Sequence, residues 1–341
     1  MNMIKQLNLF FFGIVVIVAV ICSGGNEKGK DTPKICAPFA INSSGDLLFC
    51  VVKSNSTSQP CIVPLKNISS HPIALTFQGS DSCFGAEWGI GINHDELLFI
   101  TGRGETNLQA IKSFKFIDNK PLEIFSYTVD KNLMLIILYQ GFYDPNVLAF
   151  RVEKKGEGSY LGLSKDKGRN ISVSKISAPA YLLWIDQYRF YVAHDMKDGR
   201  MVMSRVQLDI NSMTLHKEEI LTADEIILAT KSLNGSLVYA VGAKLFQDSE
   251  ILAVLPEEVG MRPFIDGRYL ACVSRDHKKI FILSDKGDVL DIKQKSRESM
   301  FVGLSATNRC IYLTTKDRDK ILSYDFIKRR EKVVFDSRVV N

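Results

Sequence analysis

The sequence predicts an all-β fold, a seven-bladed β-propeller of four-stranded antiparallel blades. Short apolar runs joined by turn residues recur about seven times, at a spacing of roughly 30 to 55 residues, near the period of a propeller blade. No convincing helix interrupts these runs. Seven units of about 43 residues also account for the chain from about residue 35 to its end.

The clearest copy of the unit is residues 262–294. Its apolar strands are separated by turn residues at Asp266-Gly267, at Arg275-Asp276-His277 and at Asp285-Lys286-Gly287-Asp288, which are typical of hairpins. The other copies centre on residues 44–51, 93–100, 129–136, 184–192, 233–241 and 306–313. Because one four-stranded sheet cannot bury both of its faces, radial stacking of such units is the expected solution.

Two copies divide clearly into four strands each. We expect strands over 180–185, 188–193, 201–208 and 215–221 in the fourth copy, and over 300–304, 310–314, 321–326 and 332–336 in the last. Residues 223–231 are predicted as the first strand of the next copy, because their Ile-Ile-Leu-Ala core favours a strand.

The third copy departs from the pattern. Residues 155–170 are rich in Gly, Ser and charge and are predicted as an extra segment, either a surface excursion or a partner-binding loop. Closure of the ring is expected from the strand near residues 35–39, from residues 332–340 or from disulfides.

Composition indicates a packed globular protein. Hydrophobic residues make up 46% of the 341 residues, and 43 Lys and Arg nearly balance 38 Asp and Glu. No long block of one charge is present, so no nucleic-acid partner is expected.

The N-terminal residues predict export. Lys5 precedes an apolar run from Leu9 to Ile21, which has the length of a signal-peptide core and is short for a membrane span of about 20 residues. We therefore expect a signal peptide over residues 1–21, a flexible tether over 22–34 and a propeller domain over 35–341.

The segment around Cys22 resembles the lipobox of bacterial lipoproteins. Cys22 directly follows the apolar run, and Ser23-Gly24-Gly25 begins a polar stretch. Ile21 departs from the small residue that the family usually has before its cysteine. The resemblance implies lipidation of Cys22 and a cell-envelope location at the outer membrane or cell surface; a cleaved secreted protein and an uncleaved anchor are the alternatives.

The cysteines fit export. If Cys22 is lipidated, six others remain, an even number that suits a disulfide-bonded exported protein. Cys61 with Cys83, and Cys36 with Cys50 or Cys83, are candidate bridges, whereas Cys50 and Cys272 lie in mid-strand and are expected to be buried thiols. Sequons at Asn42, Asn55, Asn67, Asn170 and Asn234 keep open a eukaryotic secreted glycoprotein.

Residues 266–273, followed by Lys279-Ile280-Phe281-Ile282-Leu283, resemble the repeat of YVTN and lactonase-like seven-bladed propellers. The resemblance implies that channel-facing Arg, His and Glu could polarise a ring ester. The weak catalytic candidates at strand ends are Glu87, His94, Arg103, Arg262 and Arg275.

No stronger catalytic pattern is present in the sequence. Three His-Asp neighbours (His94-Asp95, His194-Asp195 and Asp276-His277) are expected to be solvated turn residues, because neighbours in an extended segment point to opposite faces. The sequence contains no GxSxG, CxxC or EF-hand pattern, and Trp88 and Trp184 are placed in first strands as core residues.

Together these observations predict a binding module rather than an enzyme. We expect an exported, lipid-anchored propeller that binds a protein or other macromolecule at the envelope, with no cofactor and no metal. A lactonase-like hydrolase is the alternative.

Overall fold

The computed structural model describes residues 32–339. Within that range it leaves out residues 43, 55–56, 66–71, 76–80, 89–95, 104–108, 118–119, 140–146, 167, 178–180, 187–188, 210, 213, 226 and 232–235. The expected signal peptide and the lipidation site Cys22 therefore lie outside the described residues. Among the described residues, no helix has the length and apolar character needed to cross a bilayer.

The described chain forms seven four-stranded sheets, each made of four consecutive antiparallel strands. Sheet 1 comprises β1 Lys34–Ile41, β2 Leu47–Ser54, β3 Thr57–Pro64 and β4 Ile73–Ala74. Sheet 2 comprises β5 Asp81–Trp88, β6 Glu96–Arg103, β7 Gln109–Ile117 and β8 Lys120–Thr128. Sheet 3 comprises β9 Leu133–Tyr139, β10 Leu148–Lys154, β11 Gly158–Ser164 and β12 Ser172–Ser177.

Sheets 4 to 7 continue in the same order. They comprise β13 Tyr181–Asp186, β14 Arg189–Lys197, β15 Arg200–Asp209, β16 Thr214–Ala223; β17 Ile227–Lys231, β18 Leu237–Val241, β19 Lys244–Gln247, β20 Glu250–Val254; β21 Phe264–Asp266, β22 Tyr269–Val273, β23 Lys279–Ser284, β24 Val289–Gln294; and β25 Phe301–Ser305, β26 Cys310–Thr314, β27 Lys320–Asp325, β28 Arg330–Asp336, before the short helix η1 Ser337–Val339.

The first strand of each sheet contacts the first strand of the next sheet, and β25 of sheet 7 contacts β1 of sheet 1. Consecutive sheets are therefore packed side by side with their first strands innermost. The predicted all-β propeller of four-stranded antiparallel blades is confirmed, and Trp88 and Trp184 lie in first strands as predicted.

The core lies between neighbouring sheets. Alternate residues of sheet 1 face opposite neighbours: Cys50 and Val52 pack with Tyr312 of sheet 7, whereas Phe49 packs with Leu97 of sheet 2. This alternation follows from the two-residue period of a strand, and it explains why both faces of the middle strands are apolar.

Several local predictions are confirmed. Residues 262–294 contain the whole of sheet 6, the strands expected in sheets 4 and 7 are present, and residues 227–231 form a first strand. Sheet 1 uses its own four strands, and sheet 7 does the same, so packing of complete sheets brings the two ends of the chain together. Among the strands that the structure describes, none is exchanged between the two sheets.

The predicted excursion at residues 155–170 is wrong. Residues 158–164 form β11, the third strand of sheet 3, between two short turns. A Cβ at Gly162 would lie 2.7 Å from Val152 Cγ2 on the neighbouring strand. The glycine that suggested a loop therefore allows close packing within the sheet.

Candidate functional site

The up-and-down order of the strands separates the loops into two groups. The turns between first and second strands, and between third and fourth strands, lie at one end of the sheets, which we call end I. The turns between second and third strands, and the connections to the next sheet, lie at the opposite end, which we call end II. In sheet 6, residues 267–268 and 285–288 belong to end I, and residues 274–278 belong to end II.

The strand order splits the predicted lactonase-like residues between the two ends. Glu87 precedes the end I connection of sheet 2, and His94, which lies outside the described residues, falls within that connection. Arg103, Arg262 and Arg275 follow or precede strands at end II. Opposite ends of an eight-residue strand are about 25 Å apart, so the backbone of Glu87 lies at the other end of the sheets from Arg262 and Arg275.

Arg262 and Arg275 have local partners at end II of sheet 6. The Arg262 guanidinium lies over the Phe264 ring, 6.0 Å from its centroid. Arg275 pairs with Glu258, and its backbone amide donates to the Glu258 carbonyl at 2.8 Å. The side chains of Glu87 and Arg103 are outside the described part of the structure.

The turn that follows β22 is built by Ser274 and Asp276. Ser274 Oγ donates to Asp276 Oδ1 at 2.6 Å, and the same carboxylate accepts the Lys278 amide at 3.0 Å. His277 completes the turn with a φ of 61°. Asp276 therefore closes a hairpin, as its sequence position predicts, and Ser274 is buried with its hydroxyl already bonded.

Three basic side chains lie beside this turn and its His277. The backbone amide of Lys295 donates to the Lys278 carbonyl at 2.8 Å, which places the start of the sheet 6 to sheet 7 connection beside the turn. Partial burial, followed by the charges of Lys295 and Arg297, lowers the pKa of His277, whereas Asp276 acts in the opposite direction. We call His277, Lys278, Lys295 and Arg297 the His277 cluster.

Lys295 is the most strongly perturbed group of the cluster. Burial lowers its pKa to about 8, with Asp276 and Glu298 acting against the shift. Its Nζ donates to the carbonyls of Ser299 at 2.7 Å and Ser296 at 3.1 Å. A neutral amine has two N–H groups, so these two acceptors satisfy the deprotonated form.

The cations of the His277 cluster differ from nearby cations because, among the described residues, no carboxylate lies within salt-bridge distance of them, although Asp276 and Glu298 lie close enough to act on their charges. Arg275 pairs with Glu258 and Lys279 with Glu257, and Lys293 lies 2.8 Å from Glu331. Among the ion pairs of the described residues, none involves Lys278, Lys295 or Arg297. Lys278 and Arg297 are also exposed, so their charges face solvent.

This arrangement suits binding better than bond cleavage. The Ser274 hydroxyl and the Asp276 carboxylate are held within the turn, so neither is free to act as a nucleophile or to orient His277. Over the described residues, no group of three or more His, Cys, Asp or Glu side chains could hold a metal ion. Exposed, unpaired cations instead attract an acidic surface.

The sequence pointed to His277 as a turn residue and to Arg275 as a lactonase-like candidate, but it did not single out Lys278, Lys295 or Arg297. Lys295 and Arg297 belong to the connection after β24, and only the β23–β24 pairing brings that connection to the turn. Each residue by itself resembles an ordinary surface cation. The signal that could have identified them is the density of Lys and Arg over residues 275–297, read with the hairpin register.

The buried thiols follow the sequence prediction for Cys50 and Cys272, which are both free and buried. Cys61 is also a free, buried thiol, with its Sγ 3.4 Å from the Gln59 carbonyl oxygen. The bridge from Cys61 to Cys83 stays a prediction, because the Cys83 side chain lies outside the described residues.

The sequons fall in different environments. Asn42 is 3% exposed, and its side-chain oxygen accepts the amides of Asp46 and Leu47 at 3.0 Å, so a glycan cannot be accommodated there in the folded chain. Asn170 is exposed in the turn before β12. Asn55, Asn67 and Asn234 lie outside the described residues.

No family model matches this chain, and no curated protein sequence matches it significantly. Similar solved structures include apo prolyl oligopeptidase B from Galerina marginata, with a TM-score of 0.63 and 10% identity over 98% of this chain and 54% of that chain. Oligopeptidase B from Leishmania major has a TM-score of 0.55 and 11% identity, over 98% of this chain and 54% of that chain.

A third similar structure comes from a structural and mechanistic analysis of two prolyl endopeptidases. Its TM-score is 0.55 with 11% identity, over 97% of this chain and 55% of that chain. The present chain thus spans about half the length of these neighbours. At such identities the likeness concerns the fold alone.

Proposed function

We propose that this protein is an exported seven-bladed propeller, lipid-anchored through Cys22, that binds an acidic protein at the cell envelope through the His277 cluster. The observation that carries the binding proposal is the group of unpaired, partly exposed cations at end II of sheet 6. Seven sheets in a closed cycle of contacts support the seven-bladed ring.

Electrostatics favours an acidic partner for this surface. Burial lowers the pKa of both His277 and Lys295, and the charges of Lys295 and Arg297 lower the pKa of His277 further. A carboxylate-rich partner would relieve the repulsion among these charges and would speed association. The two carboxylates nearest the cluster, Asp276 and Glu298, offset part of its charge, while their oxygens also bond to Ser274 and Ser296.

The lactonase-like alternative has weaker support. It requires Glu87 and His94 to act together with Arg103, Arg262 or Arg275, although their strand ends belong to end I and end II respectively. Hydrolysis of a panel of lactones by the purified chain, lost in an Arg262→Ala variant, would favour the hydrolase over the binding module.

Site-specific photo-crosslinking in the native cell tests the binding proposal. A photoreactive side chain at position 278 is expected to capture one dominant acidic protein. The matched control places it at Lys286, an exposed lysine at end I of the same sheet, where that product should be absent. Equal capture at both positions, or none at position 278, would contradict the proposal.

A charge reversal provides the second part of the test. Lys278→Glu combined with Arg297→Glu should abolish capture by a probe at an unchanged end II position, Lys316, whereas Lys286→Glu should not. Mass spectrometry of the mature N-terminus tests the anchor separately: lipid on Cys22 is expected, and a free N-terminus beyond Cys22 would rule the anchor out.

A further inference from the structure

Two cysteines face each other across the second and third strands of sheet 1. The register of β2 and β3 pairs Cys50 directly with Cys61, between the pairs Phe49 with Ile62 and Val51 with Pro60. Both cysteines are 0% exposed. Residues directly opposite each other in an antiparallel ladder project to the same face of the sheet.

The packing identifies that face. Cys50 and Cys61 belong to the apolar core between sheets 1 and 7, together with Cys310 and Tyr312 of sheet 7. Their strand neighbours Phe49 and Ile62 point the other way, into the core that sheet 1 shares with sheet 2. The two sulfur-bearing side chains therefore lie side by side where the first and last sheets meet.

The separation of directly opposed residues suits a disulfide. Opposed Cα atoms in antiparallel strands are about 4.5 to 5.5 Å apart, within the range of about 4.4 to 6.8 Å that a disulfide requires. Burial raises the pKa of Cys50 well above its ordinary value, and the neighbouring thiols Cys61 and, to a smaller extent, Cys36 raise it further.

From this register we propose that Cys50 and Cys61 form a disulfide when the chain folds in the presence of a small-molecule disulfide oxidant. Each thiol loses a proton, the two sulfur atoms form one bond, and the two electrons reduce the S–S bond of the oxidant to two thiols. With oxidised glutathione as the oxidant, one protein disulfide and two molecules of reduced glutathione result.

The fold disfavours the competing bridges. Cys36 pairs with Val51 rather than with Cys50, and Val51 projects into the opposite core. Cys83 belongs to β5 of sheet 2, whereas Cys61 projects toward sheet 7. Cys310 shares the core with the pair, but it belongs to a different sheet and pairs across its ladders with Ser305 and Asp325.

The bond is expected to form before the core closes. Burial raises the pKa of Cys61 to about 12, and the thiolate is the species that attacks a disulfide. Once the sheets have packed, neither sulfur is exposed or ionised at neutral pH. Oxidant must therefore be present during folding.

Peptide mapping after refolding tests the proposal. The reduced, unfolded chain is refolded with a glutathione redox mixture, remaining thiols are alkylated, and the chain is digested with trypsin. Cleavage after Lys34, Lys53 and Lys66 places Cys50 on peptide 35–53 and Cys61 on peptide 54–66. We expect these two peptides to be linked and to separate on reduction.

Because Cys36 shares peptide 35–53 with Cys50, variants assign the sulfur atoms. Cys36→Ala should retain the link and Cys50→Ala should lose it, while Cys272→Ala, which removes a buried thiol of sheet 6, serves as the matched control and should retain it. The wild-type chain should also melt at a higher temperature oxidised than reduced, and that difference should vanish in Cys50→Ala.

Three results would overturn the proposal. One is a link between peptides 54–66 and 67–103, which carries Cys83. Another is a link that survives Cys50→Ala. The third is complete alkylation of Cys50 and Cys61 in wild-type chain that has refolded, as judged by its β-sheet circular dichroism, in the redox mixture.

Discussion

Hydroxyl and carboxylate side chains close hairpins at both ends of the sheets. Ser274 and Asp276 do so in sheet 6, and Thr315 Oγ1 donates to Asp319 Oδ1 at 2.6 Å in sheet 7. Ser164 donates to Asp166 at 2.7 Å in the same way in sheet 3. These local bonds satisfy turn backbone groups, which is why Asp residues next to apolar runs predicted so many turns correctly.

Gly45, in the turn between β1 and β2, is a position where replacing glycine is expected to lower the stability of the fold. Its φ is 69°, and a Cβ there would overlap Ser305 Oγ of sheet 7. We expect Gly45→Ala to lower the free energy of unfolding by about 1–2 kcal/mol for the backbone and by about 1–3 kcal/mol for the overlap. Urea denaturation measures the loss.

Gly156 is the matched control for Gly45. Its φ is 79°, and a Cβ added there would meet no atom of the described chain within 4 Å. Gly156→Ala should therefore show only the backbone cost of about 1–2 kcal/mol. Equal losses in the two variants would mean that the contact between sheets 1 and 7 adapts to the extra methyl group.

Lys295 should make stability depend on pH. Its pKa falls from 10.5 to about 8 on folding because of burial, so between those two pH values the unfolded chain binds more protons than the folded chain. The free energy of unfolding therefore rises with pH through this window, and the gain is absent below it. Solvent screening of the partly exposed amine reduces the magnitude.

The Lys295 effect is measured as a difference between variants, because other groups also titrate in this window. Urea unfolding from about pH 7 to 10.5 should give a steeper rise in stability for wild type than for Lys295→Met. Lys286→Met, at an exposed lysine of the same sheet, should follow wild type. Parallel curves for wild type and Lys295→Met would show that Lys295 is not perturbed.

At the scale of the element, alternation of apolar residues and hairpin turns predicted the strands of sheets 4, 6 and 7. Sheet 3 shows where this reasoning failed, because β11 contains Gly158, Gly162 and two serines. Its Leu161 and Leu163 are buried and Gly162 provides room for Val152. Packing across strands decides that segment, and packing cannot be derived from composition.

The sequence also did not predict the contact between the outer strands of sheets 6 and 7. Asp291 on β24 is 9% exposed and accepts a 2.6 Å bond from the Tyr324 hydroxyl on β27. Arg329 lies 3.4 Å from the same carboxylate. The sequence does not distinguish Asp291 from other carboxylates near turns, whereas the fold makes it an acceptor between two sheets.

Tyr324→Phe is expected to lower the free energy of unfolding by about 1.5–3 kcal/mol. The Asp291 carboxylate, a charged and buried acceptor, would lose the hydrogen bond that the Tyr324 hydroxyl donates to it. The matched control is Tyr160→Phe, since the Tyr160 hydroxyl donates at 2.8 Å to the Glu157 carbonyl in an exposed turn. That change should stay within about 0.5 kcal/mol. Similar urea midpoints for both variants would contradict a role for the Asp291 bond.

At the scale of the whole molecule, closure joins residues that are far apart in the chain. Asn308 Nδ2 donates to the Gly45 carbonyl and, at 3.1 Å, to the Tyr312 hydroxyl, while the amide of Ile35 donates to the Arg318 carbonyl at 2.6 Å. The sequence predicted repeated sheets but not these bonds. Contacts between the first and last sheets join residues that are distant in sequence, so no local sequence pattern predicts them.

Asn308→Ala should weaken this closure specifically. It removes both side-chain donors, and we expect a loss of about 1–3 kcal/mol in the free energy of unfolding. Amide hydrogen exchange should accelerate most in sheets 1 and 7 and least in sheet 4, which lies opposite the junction. Asn170→Ala, which removes a bond to Asp166 within one turn, should leave exchange in sheet 1 unchanged. Uniform acceleration in Asn308→Ala would instead show that all the sheets open as one unit, so that closure carries no separate energy.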